Sequence, residues 1–461
     1  STVIWMKTIG TTGCNNNVIQ TPTINGAPGP NSTTTAGILT GSSVTIGNDG
    51  EGPQNNNTIE NNWIYRVQNS LYVRGGTAAN IDQGWTIIRN TLGSNETNDN
   101  NIFRGMLIGN SNNFIVANNT VNGIRSTATT AAAMSGIQVA LASTNGVVAN
   151  NVIRNIKNVS GSGTGAFGIS VIATSTASNV TFVNNMIDDI AANGSATVAS
   201  NGHGISITGG SGWNVYYNSV NVGTNQASGT TSAMFVSAAV TAAGAVNARN
   251  NILANTQTSG ATRFSVYSLA PASIFGTINN NNYFSSQNVG FIGGSARVTL
   301  GDWQSATTQD ANSLAVDPLF VSASDLHITA SSPMIGAAAP IAGITTDIDG
   351  QTRDAATPDI GADEFVSTAP GPPAVISGQV TDAGQNGLAF VMVTLEGPAF
   401  GPVGFTVMTN SFGRFTFPAV PTNVTYTVTV SHPRRYVFAN PSQQINLQGD
   451  VDNVNFIGSE P

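Results

Sequence analysis

The sequence predicts an all-β protein, a parallel β-solenoid followed by a small β-sandwich, and three observations carry that prediction. Eight times between residues 62 and 282 an asparagine, usually the second of a pair, stands two positions before an apolar residue. The markers are Asn62, Asn90, Asn119, Asn151, Asn185, Asn218, Asn251 and Asn282, at intervals of 28, 29, 32, 34, 33, 33 and 31 residues. Self-similarity at such a period marks a repeat architecture. A second landmark keeps step with the first: short runs of alternating polarity, Gly105-Met106-Leu107-Ile108, Gly136-Ile137-Gln138-Val139, Gly168-Ile169-Ser170-Val171 and Gly204-Ile205-Ser206-Ile207, which read as strands. The third observation is composition. Helical repeats of about 33 residues need Ala, Leu, Glu, Lys and Arg, whereas these are rich in Asn, Gly, Thr, Ser, Val and Ile, and Leu is too scarce for a leucine-rich repeat.

Along the chain, Thr2-Val3-Ile4-Trp5-Met6-Lys7 reads as a strand already inside a coil, so Ser1 looks like a processed or truncated start. A degraded coil follows at residues 16–24 with Pro22 in the marker position, then a Pro- and Gly-rich excursion over 25–35. In the regular coils the residues two places beyond each marker, Ile64, Leu92, Val121, Ile153, Ile187, Val220, Leu253 and Phe284, are expected to point inward. The marker asparagine is expected to take the left-handed backbone of a tight corner and to bond along the axis as a ladder, one rung per coil at about 4.8 Å. The intervening loops, at 126–135, 158–166, 191–202 and 224–232, recur at one point of the repeat and should stack on one side.

From about residue 285 the repeat fades. A segment containing Asp317-Pro318-Leu319-Phe320-Val321, Asp347-Ile348-Asp349-Gly350 and Asp359-Ile360-Gly361-Ala362-Asp363-Glu364-Phe365 takes over. The Asn-marked coils with this ending resemble secreted bacterial right-handed parallel β-helix proteins of the pectin-lyase-like class. The resemblance spans residues 1–366 and implies fold more than function, since that class holds lyases, hydrolases and adhesins. The expected units are coils over 1–310, a closing segment over 311–366, a Pro-rich linker over 367–373 and a sandwich over 374–461. In that last unit five stretches alternate like strands, and Gly378, Val380, Asp382, Gly387, Thr409, Gly413 and Phe415 resemble a carboxypeptidase regulatory-like, transthyretin-like module. By that resemblance it is an Ig-like spacer or adhesion domain.

Composition excludes several classes of function. Charged residues make up only 8% of the 461, the net charge is −8, and there are two lysines, Lys7 and Lys157. Nucleic-acid binding requires basic clusters, and the nearest approach is Arg434-Arg435. No run of 18 apolar residues is present for a membrane helix. Low charge with abundant Asn, Ser and Thr points to an extracellular or cell-surface protein secreted by a bacterium.

The search for chemistry finds one lead. Gly202-His203-Gly204 resembles the Gly-His-Gly element of polygalacturonases, but the only carboxylates between residues 100 and 301 are Asp188 and Asp189, and the family's Asn-Thr-Asp and Arg-Ile-Lys elements are absent. Glycoside hydrolysis needs two carboxyl groups across the scissile bond. A lyase needs a base beside a polarised uronate, and Arg104, Arg125, Arg154 and Lys157 lack an accompanying carboxylate cluster. Asp347, Asp349, Asp359 and Asp363 offer an oxygen shell for Ca²⁺; no other cofactor is expected. The expected function is therefore structural: a filament or adhesive-layer subunit associating head to tail through Val3, Ile4, Trp5 and Met6 with the far end of the solenoid or the sandwich of a neighbour. The competing expectation is a glycan-binding or glycan-cleaving protein using Trp63, Trp85, Trp213, Tyr216, Tyr217 and Tyr267.

Overall fold

The computed structural model describes the chain apart from residues 9–12, 22, 28–32, 44, 78–79, 127–132, 160–162, 366–370, 398–400, 423, 433–435 and 461; of 371–372 and 401–403 it describes the backbone alone. Pro22, the linker positions 367–370, Arg434-Arg435 and the middles of the two loops at 126–135 and 158–166 thus lie outside the described residues. The chain forms two compact units, Ser1–Phe365 and Val366–Pro461.

The first unit is a parallel β-helix. One coil shows the plan: Met134–Leu141 lies in a first sheet, Val147–Ala149 in a second and Val152–Asn158 in a third, before Ala166–Ala173 re-enters the first one rung higher. Stacking gives sheets of 11, 9 and 9 strands, parallel except for one terminal hairpin in the first. Ile137 and Val139, Val148, and Ile153 and Ile156 point inward from the three sheets of this coil and are fully buried, and their equivalents form one continuous core. The Gly-first landmark has a steric cause. Where the chain bends into the first sheet, a Cβ on Gly136, Gly168 or Gly204 would sit 2.4, 2.3 or 2.2 Å from a methyl of the inward residue Ile153, Ile187 or Val220.

The corner between second and third sheets is two residues long in all eight coils from Asn61-Asn62 to Asn280-Asn281. The two residues divide the work expected of one. The first takes the left-handed conformation, with φ of 56° at Asn118, 54° at Asn150 and 53° at Asn184; Arg89 and Tyr217 do so in their coils. The second, the marker, is buried and builds the ladder. Its Oδ1 accepts both the backbone N–H and the Nδ2 of the marker one coil below, from Asn62 to Asn90 and onward, at 2.8–3.1 Å. The last rung is Asn281 rather than the expected Asn282. Leu253 pairs with Tyr283, so Tyr283 points inward and Phe284 outward. The run of four asparagines at 279–282 conceals this one-residue shift, and a shift of one turns a strand's faces over.

The C-terminal end of the solenoid is closed by a hairpin and a helix that fall within the span 1–310 expected to be coils. The strand Ser295–Arg297 pairs antiparallel to Asn288–Ile292 at the edge of the first sheet. A helix, α1 (Leu300–Thr307), then lays Trp303 against the last coil, and Trp303 Nε1 and the Tyr283 hydroxyl both donate to Asp310 Oδ2, at 2.7 and 2.8 Å. Thr299 and Asp302 form its capping box.

Residues 313–365 add no further coil. They fold back along the outside of the third sheet and its corner, from the level of Asn282 to that of Arg154. Ile328, Met334, Ala338 and Ile360 bury Val183, Tyr217, Ile252 and Ala254, and Leu326 with Ala362 buries Met186. The left-handed corner residues supply the polar anchors: Asn184, Asn250 and Asn280 donate to the carbonyls of Thr346, Ala339 and Ala337, and Tyr217 also donates to Ala339.

The second unit contains two four-stranded sheets around a core that includes Phe417, Tyr426 and Val428. Its first strand, Gly371–Thr381, begins inside the stretch expected to be linker, so the expected boundary at 374 falls three residues late. Among the described residues no helix is long and apolar enough to cross a membrane.

Candidate functional site

His203 stands on the strand Gly202–Ile207 of the first sheet, on its outer side, and is nonetheless fully buried. The loop before it folds over the ring: the Val198 carbonyl lies 2.9 Å from Nε2 and Ser232 Oγ 2.9 Å from Nδ1. Because a carbonyl only accepts, Nε2 carries the proton and Nδ1 accepts from the serine hydroxyl. The ring stacks between Phe167 and Phe235, with centroids 6.1 and 4.7 Å away. Burial pushes its pKa down to about 4, so it is neutral at neutral pH. Both nitrogens are occupied and no reacting group can reach them.

Asp188 and Asp189 lie on the third sheet, apart from His203. Asp188 is buried beneath the returning segment, pairs with Arg154 at 3.2 Å, and has its pKa pushed up to about 6 by burial. Asp189 takes φ 58°, pairs with Lys157 at 2.8 Å and accepts a hydrogen bond from Thr224. The structure therefore assembles no acid–base pair from the three residues.

The four aspartates expected to share a metal also separate. Asp347 accepts the backbone N–H groups of Asp349, Gln351 and Glu364, and Asp359 those of Gly336 and Phe365; burial pushes Asp359 up to about 6. These two carboxylates serve as loop ties. Asp349 and Asp363 instead converge with His327, which the sequence reading left out, with ligand atoms within 4.8 Å of one another. His327 Nε2 lies 2.9 Å from Asp349 Oδ2, and Nδ1 meets Asp325. Burial alone would lower the His327 pKa, but Asp325, Asp363 and Asp349 together raise it. A histidine beside two carboxylates does not offer the all-oxygen shell that Ca²⁺ takes; His327 and the aspartates bond one another within the returning segment.

A second lock sits nearby. Arg353, buried, donates to Glu364 Oε2 at 3.1 Å and to Asn184 Oδ1 at 3.0 Å, and lies 4.1 Å over the Tyr217 ring. Of the aromatics considered for sugar stacking, Trp85, Trp213 and Tyr217 are in cores and Tyr267 is buried on the first sheet. Tyr216 is half-buried and bonds Asn214. Trp63 is 41% exposed and lies 4.6 Å from Tyr65, centroid to centroid.

The four residues expected to drive assembly divide by pleat. Ile4 and Met6 pack on the core, while Val3 and Trp5 are 46% and 36% exposed. Thr2–Met6 pairs with Ala36–Thr40. Lys7 extends the outward row, its Nζ 5.2 Å over the Trp5 ring. At the other end of the solenoid a cavity of about 460 Å³ opens between the third sheet and the returning segment. Phe284, Leu319, Phe320 and Asp317 are among its lining residues.

Comparison with known proteins assigns one unit. Residues 375–457 match the carboxypeptidase regulatory-like domain, and the chain carries that domain there. No curated protein matches the sequence. A solved structure described as "Crystal structure of Agl-KA catalytic domain" is similar at 15% identity over 60% of this chain and 50% of that one, with a TM-score of 0.19, too slight a likeness to bear on activity.

Proposed function

We propose that the chain is an extracellular structural protein, a subunit that self-associates end to end and has no catalytic chemistry of its own. The observation that carries this reading is an outward row on the strand Thr2–Met6 and the residue beyond it: Val3 and Trp5 are 46% and 36% exposed, and Lys7 stands over the Trp5 ring. The far end of the solenoid carries different features, α1 and the Ser295–Arg297 hairpin. Unlike ends that recognise each other form a heterologous contact, which propagates as an open fibre where the rotation between copies does not close a ring. The sealed state of His203 and the ties on Asp188, Asp347 and Asp359 support the non-catalytic part. The low charge of the chain supports the extracellular part.

Electron microscopy of the undenatured protein across a concentration series is the test. Regular fibres with an axial repeat near one subunit length are expected, and Val3→Ser with Trp5→Ser should shorten or abolish them while leaving the β-sheet circular dichroism unchanged. Discrete single particles at every concentration would overturn the reading. The exposed Trp63 beside the half-buried Tyr65 favours a second reading, glycan binding on the outer face of the third sheet. A glycan array that shows binding lost in Trp63→Ala would establish it, and a blank array would remove it.

A further inference from the structure

Resting on the reading of the chain as a self-associating subunit, we propose that the first strand of one copy docks side-on at the cavity under the returning segment of a second copy, with Lys7 of one facing Asp317 of the other. The cavity volume, about 460 Å³, falls within the range of specific binding sites, about 300–1,000 Å³. Phe284 contributes to its lining from the solenoid, and Pro318, Leu319 and Phe320 from the returning segment. Asp317 is the one ionisable residue among those lining it. Its Oδ1 accepts the Leu319 N–H at 2.9 Å, and it belongs to none of the ion pairs among the described residues. Leu319 is held at φ 52° with its side chain exposed, and Val316 and Val321 on either side are exposed as well.

The first strand supplies the complement. Val3, Trp5 and Lys7 form one outward row, two apolar groups and a cation, against an apolar recess with one anion. Of the two lysines, Lys157 is neutralised by Asp189, whereas Lys7 is in none of the ion pairs among the described residues and stands over the Trp5 ring. In a protein with net charge −8 an unpaired cation in an apolar row is a specific recognition element.

Geometry makes the contact intermolecular. In the first sheet Thr2–Met6 and Asn288–Ile292 are nine strand steps apart, about 43 Å at roughly 4.8 Å per step, so one chain cannot bring its own first strand to its own cavity. The edge of the last coil is occupied by Ser295–Arg297, which directs the approach to the flank instead of coil upon coil. Two different patches at opposite ends form a heterologous contact, and repeating it propagates a fibre.

Charge exchange tests the pairing with residues that are not in the core. Lys7→Glu and Asp317→Lys, each in the full chain, should each raise the concentration for half-maximal assembly by about tenfold or more, because each sets like charges together. The double variant should return to within about threefold of the parent, since the pair is restored with reversed sign. Unchanged far-ultraviolet circular dichroism and melting temperature confirm that each variant is folded. A parent protein that never assembles would overturn the structural reading and this contact with it. A parent that assembles while both single variants assemble equally well would overturn this contact and leave self-association standing. Single variants that fail without recovery in the double would also overturn the pairing.

Discussion

Replacing Asn185 with alanine probes the asparagine ladder at its centre. Asn185 is fully buried; its Oδ1 accepts from Asn151 N at 3.1 Å and Asn151 Nδ2 at 2.9 Å, and its Nδ2 donates to Val148 O and Asn218 Oδ1, both at 2.9 Å. Alanine takes the only acceptor from the Asn151 N–H at a site closed to water, which costs about 1–3 kcal/mol. Val148 O and Asn218 Oδ1 each lose a donor, and the missing carboxamide leaves a void, so the whole change should cost about 3–5 kcal/mol. The matched control is Asn150→Gly. Asn150 supplies a left-handed backbone, which glycine adopts freely, so that change should stay within about 1 kcal/mol. Urea unfolding followed by tryptophan fluorescence reads the solenoid alone, because all five tryptophans, Trp5, Trp63, Trp85, Trp213 and Trp303, lie before residue 366. An Asn185→Ala cost below about 1 kcal/mol, or no larger than that of Asn150→Gly, would show the amide ladder to be a bystander of strand pairing.

Other perturbations address the return path, the histidine and the bend. Arg353→Met strips Glu364 of its buried partner and should destabilise by about 3–5 kcal/mol, with limited proteolysis cutting first within 313–365 while the coils persist. His203→Phe tests the sealed ring through pH. The folded-state pKa lies below the unfolded one, so between pH 6.5 and about 4 the unfolded chain takes up a proton that the folded chain refuses. Stability is thus lost as pH falls through that window, by about 3 kcal/mol in all. The phenylalanine variant lacks this loss, and the difference between the two proteins isolates it from the buried carboxylates, whose raised pKa values act in the opposite sense. An identical pH profile for both would refute the assignment. Gly168→Ala places a Cβ 2.3 Å from Ile187 Cγ2 and should cost about 1–3 kcal/mol in the same urea assay.

The period was legible because every coil must turn the same corner, and a two-residue corner restricts which residues can stand there. The division of labour within the pair was not, since either asparagine can adopt a left-handed backbone or bond through its amide, and only the stacking of the second on its equivalent one coil away decides. At 279–282, with four asparagines in a row, composition holds no information about register. The start of α1 was written in Thr299 and Asp302, but a helix of eight residues adds little periodicity of its own. The course of 313–365 was hidden for another reason: Met186 and Ile252 alternate like any outward strand residues, and alternation does not reveal whether an outer face is covered. The surroundings of the candidate residues were hidden at the same level. Gly202-His203-Gly204 is a local pattern, while the Val198 and Phe235 that seal the imidazole come from a loop and a neighbouring coil. Asp347 and Asp359 offered ligands in the sequence, and backbone N–H groups claimed them in the fold.

The invariant two-residue corner also decides where the chain can grow. The strands Leu141 and Val147 bracket five residues between first and second sheets, and Val236 and Val246 bracket nine, so that junction already tolerates a change in length. The junction from third to first sheet varies too, from two residues between Ser285 and Asn288 to eleven between Leu92 and Arg104. An inserted peptide at either place leaves every amide rung in register, whereas one extra residue between Asn150 and Asn151 would displace a rung and invert the faces of the strand beyond it. The solenoid is in this sense a display scaffold with two permissive seams and one forbidden one.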